Sequence, residues 1–229
     1  MKKHQSRRTF VGALALGATA TGMATVAHPL RSWYLNRPVA LDESPENRNA
    51  MDWFDKIKGN HRAVFDGSMP HGGFPIIWNW AYYLSHNETG SPDSDITGLT
   101  VLRHDAIPFA LDSSLWAKYQ LGEHFNITDN ATGQASLRNP YYQPKEGDMP
   151  MPGIGGIKSL LDRGAMFCVC NLALKVYSEM AAHRLGMDPK TAYKEWVDAV
   201  LEGIQVVPSG VWALGRAQNH RCAYIYAGG

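Results

Sequence analysis

Short apolar runs alternate with stretches of helical periodicity along most of this chain, and that alternation constrains the fold more than any single residue. Strand candidates at 61–65, 99–103, 165–170, 204–207 and 222–226 are separated by helix candidates at 74–86, 107–121, 172–185, 189–203 and 211–218. In the first helix candidate Ile76, Ile77, Trp80, Tyr83 and Leu84 recur at helical spacing. Asp188-Pro189 is a good helix start, because Asp caps free amides and Pro fits the first helical position. Strands alternating with helices favour parallel pairing through right-handed crossovers. The expected fold class is therefore α/β: a doubly wound, mostly parallel sheet of about five strands with helices on both faces, in a single domain with a long loop insertion.

The run 165–170 ends at Cys168 and Cys170, with Asn171 opening the next helix. In open α/β sheets, ligands collect beyond the carboxyl ends of the strands. A cysteine there, at a helix N-terminus, meets free backbone amides and the helix dipole, both of which favour the thiolate. The bland alternative is a buried, inert core cysteine. Alternation turns Cys168 and Cys170 to the same face, roughly 6.5–7 Å apart and too far for an easy disulfide. How near Cys222 comes to either is left open. His104, Asp66 and Ser209 end other strands and are expected to gather near Cys170, His104 as proton donor or thiolate partner. His104 also reads as a hydrogen-bonded structural histidine, and Arg103 and Asp105 as a surface pair.

The chain opens with Lys2, Lys3 and Ser6-Arg7-Arg8-Thr9-Phe10-Val11, then a small, apolar stretch at 12–27. This reads as a twin-arginine export signal cleaved near Ala27, with a periplasmic destination. Gly17, Thr19, Thr21 and Gly22 make the stretch too polar for a spanning helix, so no stable membrane span is expected after cleavage. Removing the leader takes four of the 22 basic residues and none of the 21 acidic ones, turning a formal charge of +1 negative. Nucleic acid is excluded as a partner on that ground. The expected organisation is a signal at 1–27, a tether at 28–55 and one domain at 56–229.

Residues 126–156 are rich in Asn, Gly, Pro and Thr and have no sustained period. So long a stretch without regular structure reads as an insertion, a lid or a contact for a protein partner or another subunit. Trp78, Trp80, Tyr82 and Tyr83 cover both faces of one helix, the pattern of core plus oligomer contact. Gly72-Gly73 lacks the Lys-Ser/Thr of a phosphate loop, which removes nucleotide binding.

Gly164-Ala165-Met166-Phe167-Cys168-Val169-Cys170-Asn171 resembles the "GV-x-F-x-V-C-x-N" strand of DsrE/DsrF-like proteins. Val207-Pro208-Ser209-Gly210-Val211, with Leu214, Gln218 and Ala223-Tyr224-Ile225-Tyr226, resembles that family's "VPSGV...L...Q...YAYI" ending. The resemblance is strongest over 157–226 and weaker but collinear over 61–111. It implies a doubly wound fold, a homo-oligomer and, as in the sulfur-relay members, a strand-exit cysteine carrying a persulfide, the position of Cys170. The chain departs from the pattern in its leader, its insertion and His104-Asp105 where His-Gly is usual. The expected function is a cysteine-based carrier of small sulfur species, with Cys170 and His104 reactive and Asp66, Cys168, Asn171 and Ser209 lining the site. One rival is a metal, haem or small-ligand binding module using Cys168, Cys170, His71, His104, Met149 and Met151, since soft thiolates and thioethers suit copper and imidazole with thiolate suits zinc. The other is a structural subunit docking through the insertion. No particular cofactor is indicated.

Overall fold

The computed structural model describes residues 49–228. The expected leader and most of the expected tether lie outside the described residues.

Five strands form one sheet: β1 (His61–Gly67), β2 (Ile96–Leu102), β3 (Met166–Cys170), β4 (Ile204–Val207) and β5 (Ala223–Tyr226). They lie in the order β4-β3-β2-β1-β5, every pairing parallel. The helices are α1 (Ala50–Trp53), α2 (Phe74–Glu88), α3 (Ser114–Tyr119), α4 (Leu121–His124), α5 (Ile157–Asp162), α6 (Asn171–Leu185), α7 (Pro189–Asp198) and α8 (Gly210–Asn219). No described helix is long and apolar enough to cross a membrane.

The strand order dictates where the helices go. Three right-handed crossovers step in one direction from β1 to β4 and place their helices on one face. The return from β4 to β5 reverses direction and puts α8 on the other face. Parallel strands need cover on both sides; β2 and β3 are wholly buried, while the edge strand β5 stays largely exposed. On the α8 face Val64, Leu99, Val101, Met166 and Cys168 pack against Ala213, Leu214 and Ala217 of α8, with Trp53 and Phe54 alongside. On the opposite face the Asn79 amide of α2 donates to the Gly98 carbonyl at 3.1 Å and to Thr100 Oγ1 at 3.0 Å. A Cβ at Gly98 would lie 2.0 Å from Asn79 Oδ1, so only glycine lets α2 come this close.

Three sequence expectations change. Trp53 and Phe54, assigned to the tether, belong to the core, because two large rings at a domain margin gain more by burial than a solvated linker could. The helix expected at 107–121 is instead a 3-10 segment at His104–Ala110 followed by α3 and α4. Pro108 supplies no N–H to continue an α-helix there. Arg103 does not pair with Asp105 at the surface; it reaches inward to Asp66.

The insertion at 126–156 contains no helix and one isolated bridge, between Thr128 and Ala135. Side chains tie it down instead. Asn139 donates to the carbonyls of Phe109 and Leu111 and accepts from the amides of Tyr141 and Tyr142. Tyr141 stacks edge-on against Phe109 and fills the space a Cβ at Gly73 would need. The buried Asp148 carboxylate receives both terminal nitrogens of Arg138, at 2.6 and 2.8 Å.

Candidate functional site

The chain leaves β3 toward one face of the sheet and β4 toward the other, so a crevice opens between their carboxyl ends, where ligands collect in such folds. Cys170 and Val207, paired in register, are its floor. Cys170 is also the N-cap of α6, and its Sγ accepts the Ala173 N–H at 3.3 Å. Serine, threonine, aspartate or asparagine is the usual choice at such a cap. Across the crevice Ser209 caps α8 by accepting the Trp212 N–H at 3.3 Å. The Leu172 amide donates to the Pro208 carbonyl at 3.3 Å, which joins the two helix starts.

The thiol therefore sits between two helix N-termini. Burial is the strongest influence and pushes the Cys170 thiol up, while the amides of Ala173, Gly210 and Leu172 and the charge of Arg103 pull against it. Two residues earlier the outcome differs: Cys168 is fully buried in the α8-side core, and burial drives its thiol well above the ordinary range, with Cys170 adding to the rise. Cys168 is core and does not line the mouth. Cys222 is also buried, its thiol pushed up to about 11 by burial. All three cysteines are unpaired.

Arg103 was read as a surface residue, yet it organises the rim. Its Nε and Nη2 hold the two carboxylate oxygens of Asp66 at 2.6 and 3.0 Å. Asp66 is buried and also accepts the Tyr224 hydroxyl from β5 at 2.7 Å. Asp66 makes Arg103 harder to deprotonate, and its hydrogen bond with Tyr224 pushes that hydroxyl up. The Arg103 stem lies over Gly210, where a Cβ would be 2.5 Å from Arg103 Cβ and 2.8 Å from its Cδ. Glycine at 210 thus lets the arginine pass close to an amide that serves Cys170. The Asp66↔Val101 register puts Asp66 and Arg103 on one face, the face of Cys170.

The other expected residues fall around this core. Asn171 follows Cys170, and its Oδ1 accepts the Tyr193 hydroxyl of α7 at 2.7 Å. His104 takes a positive φ of 49°, a conformation uncommon for non-glycine residues and found disproportionately at functional sites. Its Nδ1 lies 2.9 Å from Asp105 Oδ1, and Tyr177 of α6 hydrogen-bonds the same carboxylate. His104, Asp105 and Tyr177 thus form one linked group at the β2 exit. Asp105 and Tyr177 were not singled out from the sequence. Their link comes from α6 folding back over the β2 exit.

Among the described residues no group of three or more His, Cys, Asp or Glu side chains gathers as a metal set. Met149 and Met151 line a cavity of about 810 Å³ within the insertion, with Lys145, Glu146, Ile154 and Ser159. His71 stands at the exit of β1 against Phe74.

No family model matches the chain, and no curated protein matches it. A solved structure titled as a protein of unknown function, MTH1491 from Methanobacterium thermoautotrophicum, is similar at 18% identity, covering 73% of this chain and 99% of that one with a TM-score of 0.39.

Proposed function

We propose that this protein is a carrier of small sulfur species, exported by the twin-arginine route, that holds sulfane sulfur on Cys170. The observation that carries the reading is the position of its Sγ, at the meeting of the N-termini of α6 and α8 and beside Arg103. A persulfide is more acidic than a thiol, so adding a sulfur atom turns a neutral group into an anion next to two sets of backbone N–H groups and a guanidinium. The loaded state gains from that setting more than the resting thiol does.

The step balances without an oxidant. Cys170 Sγ, giving up its proton, attacks the terminal sulfur of a donor hydropersulfide. A new S–S bond forms, the donor's own S–S bond breaks, and its electron pair leaves on the donor's inner sulfur, which takes the proton. Thiol and hydropersulfide have exchanged one sulfur atom. His104, which follows the neighbouring strand β2, is the group we propose to move that proton. Narrow access to Cys170 suits a donor that leads with a single sulfur atom; the thiol is only 6% exposed.

The test is incubation of the protein with glutathione hydropersulfide, trapping of free thiols and peptide mass spectrometry. One added sulfur on the peptide holding Cys170, absent from Cys170→Ser, is the expected result. A wholly unmodified Cys170 after exposure to excess donor would reject the proposal.

A further inference from the structure

We infer that Arg103 selects anionic ligands for the Cys170 site, with Asp66 and Tyr224 as the residues that position it and moderate its charge. The inference rests on Cys170 being the reactive group of the site and names the class of molecule it receives: small sulfur donors that carry a negative charge.

The guanidinium is a fork with two usable edges. Asp66 occupies the edge formed by Nε and Nη2. Among the described residues Nη1 makes no hydrogen bond, and the side chain keeps 25% of its surface exposed where Asp66 keeps 3%. One edge is thus spent on an interior carboxylate while the other remains open to solvent. The Arg103 stem lies against Gly210, the first residue of the helix that starts across the crevice from Cys170, so the charge and the thiol share one neighbourhood, and each acts on the other's ionisation. The stem cannot retreat, because it is pressed against the backbone of Gly210. Nor can the Asp66 end swing freely, because the Tyr224 hydroxyl holds the carboxylate from the edge strand.

This arrangement has a chemical consequence. An arginine fully exposed would attract any anion, whereas one neutralised on both edges would attract none. Paired on one edge, Arg103 belongs to an ion pair of no formal net charge yet keeps N–H donors on its other edge, which suits a compact anion that forms directed hydrogen bonds. The amides of Gly210, Leu172 and Ala173 supply further donors at the thiol end. The donor's anionic head would rest on Arg103 while its terminal sulfur meets Cys170.

Two alkylating agents of similar size isolate this selection from reactivity in general: iodoacetate carries a negative charge and iodoacetamide does not. The ratio of their rates at Cys170, resolved by peptide, is expected to exceed that of a free thiol such as glutathione. It should fall about tenfold in Arg103→Met, the size of effect a charge-assisted contact supplies, and be largely retained in Arg103→Lys. In Asp66→Asn the ratio should rise several-fold, because the guanidinium loses its counter-charge; in Tyr224→Phe it should change less and in the same direction. A purely structural role for Arg103 would leave the ratio unmoved while slowing or speeding both agents together. A wild-type ratio equal to that of glutathione overturns the inference even if Arg103→Met does not fold. Should the ratio behave as expected while hydropersulfide leaves Cys170 unmodified, anion selection stands and sulfur carriage fails.

Discussion

Among the described residues two interior aspartates are gripped by an arginine through both oxygens, and they differ in what stands next to them. Asp148 and Arg138 close on each other inside the insertion, with the Lys145 amide and Asp129 as their company. Asp66 and Arg103 lie at the carboxyl rim of the sheet, with Tyr224 on one side and Cys170 on the other. The arginines are about equally exposed, 23% and 25%, and the carboxylates similarly hidden, so burial does not distinguish them. A paired buried charge is therefore no mark of a site in itself. The distinguishing feature is a third group whose chemistry the pair can alter.

The largest expected effect lies in the insertion. Arg138→Met strands the Asp148 carboxylate and should cost about 3–5 kcal/mol in urea unfolding. The double change Arg138→Met with Asp148→Leu should recover most of that loss, as is common when both charges leave together. The corresponding double change at Arg103 and Asp66 should also recover stability yet abolish the anion preference of Cys170. If both doubles leave Cys170 unaffected, the contrast between the two pairs disappears.

The insertion pair also leaves a mark in acid. Burial pushes the Asp148 carboxyl up, but the bonds from Arg138 and the Lys145 amide outweigh it and hold it below the ordinary carboxylate range. Its contribution is present above the unfolded-state value and drains away as pH falls through the lowered one. Wild-type stability should thus decline through that acid window more steeply than that of Asp148→Asn. Parallel pH profiles for the two proteins would count against the assignment.

A smaller effect separates the two cysteines of β3. Cys168→Ser puts a hydroxyl into the apolar layer beneath α8 and should cost about 1–3 kcal/mol. Cys170→Ser places it where the Ala173 amide already donates, a favoured cap, and should stay within about 1 kcal/mol of wild type. Comparable losses in both would mean that the rim is packed like the interior. Tyr224→Phe removes one hydrogen bond to Asp66 at a half-exposed position and should likewise cost no more than about 1 kcal/mol in thermal unfolding.

Much of the fold was legible in the sequence because its cues are local. The run at 204–207 coincides with β4, and Asp188-Pro189 opens α7 as its capping chemistry demands. Cys170 stands at the strand exit and Ser209 at a helix cap, where the alternation of elements put them. The parts that were not legible depend on distance along the chain. Arg103 meets Asp66 across 37 positions and Asp66 meets Tyr224 across 158, and no periodicity reports such pairings. Cys168 looked equivalent to Cys170 because alternation gives the face and says nothing of depth. The insertion was unreadable for a third reason: it is held by side chains such as Asn139 and Tyr141, which leave no repeating pattern.

The order of the strands has a consequence for how the protein is made. β5 inserts beside β1, at the opposite end of the described strands in sequence, so the bond between Tyr224 and Asp66 waits until the chain has been extended past β5. Contacts this remote in sequence form late, after most of the loop-closure entropy has been spent. A nascent chain that has already paired β1 through β4 has its cysteine in place while the arginine beside it lacks the Tyr224 restraint. The site is tuned only once β5 has docked beside β1, so the restraint on Arg103 follows the pairing of the other four strands and cannot guide it.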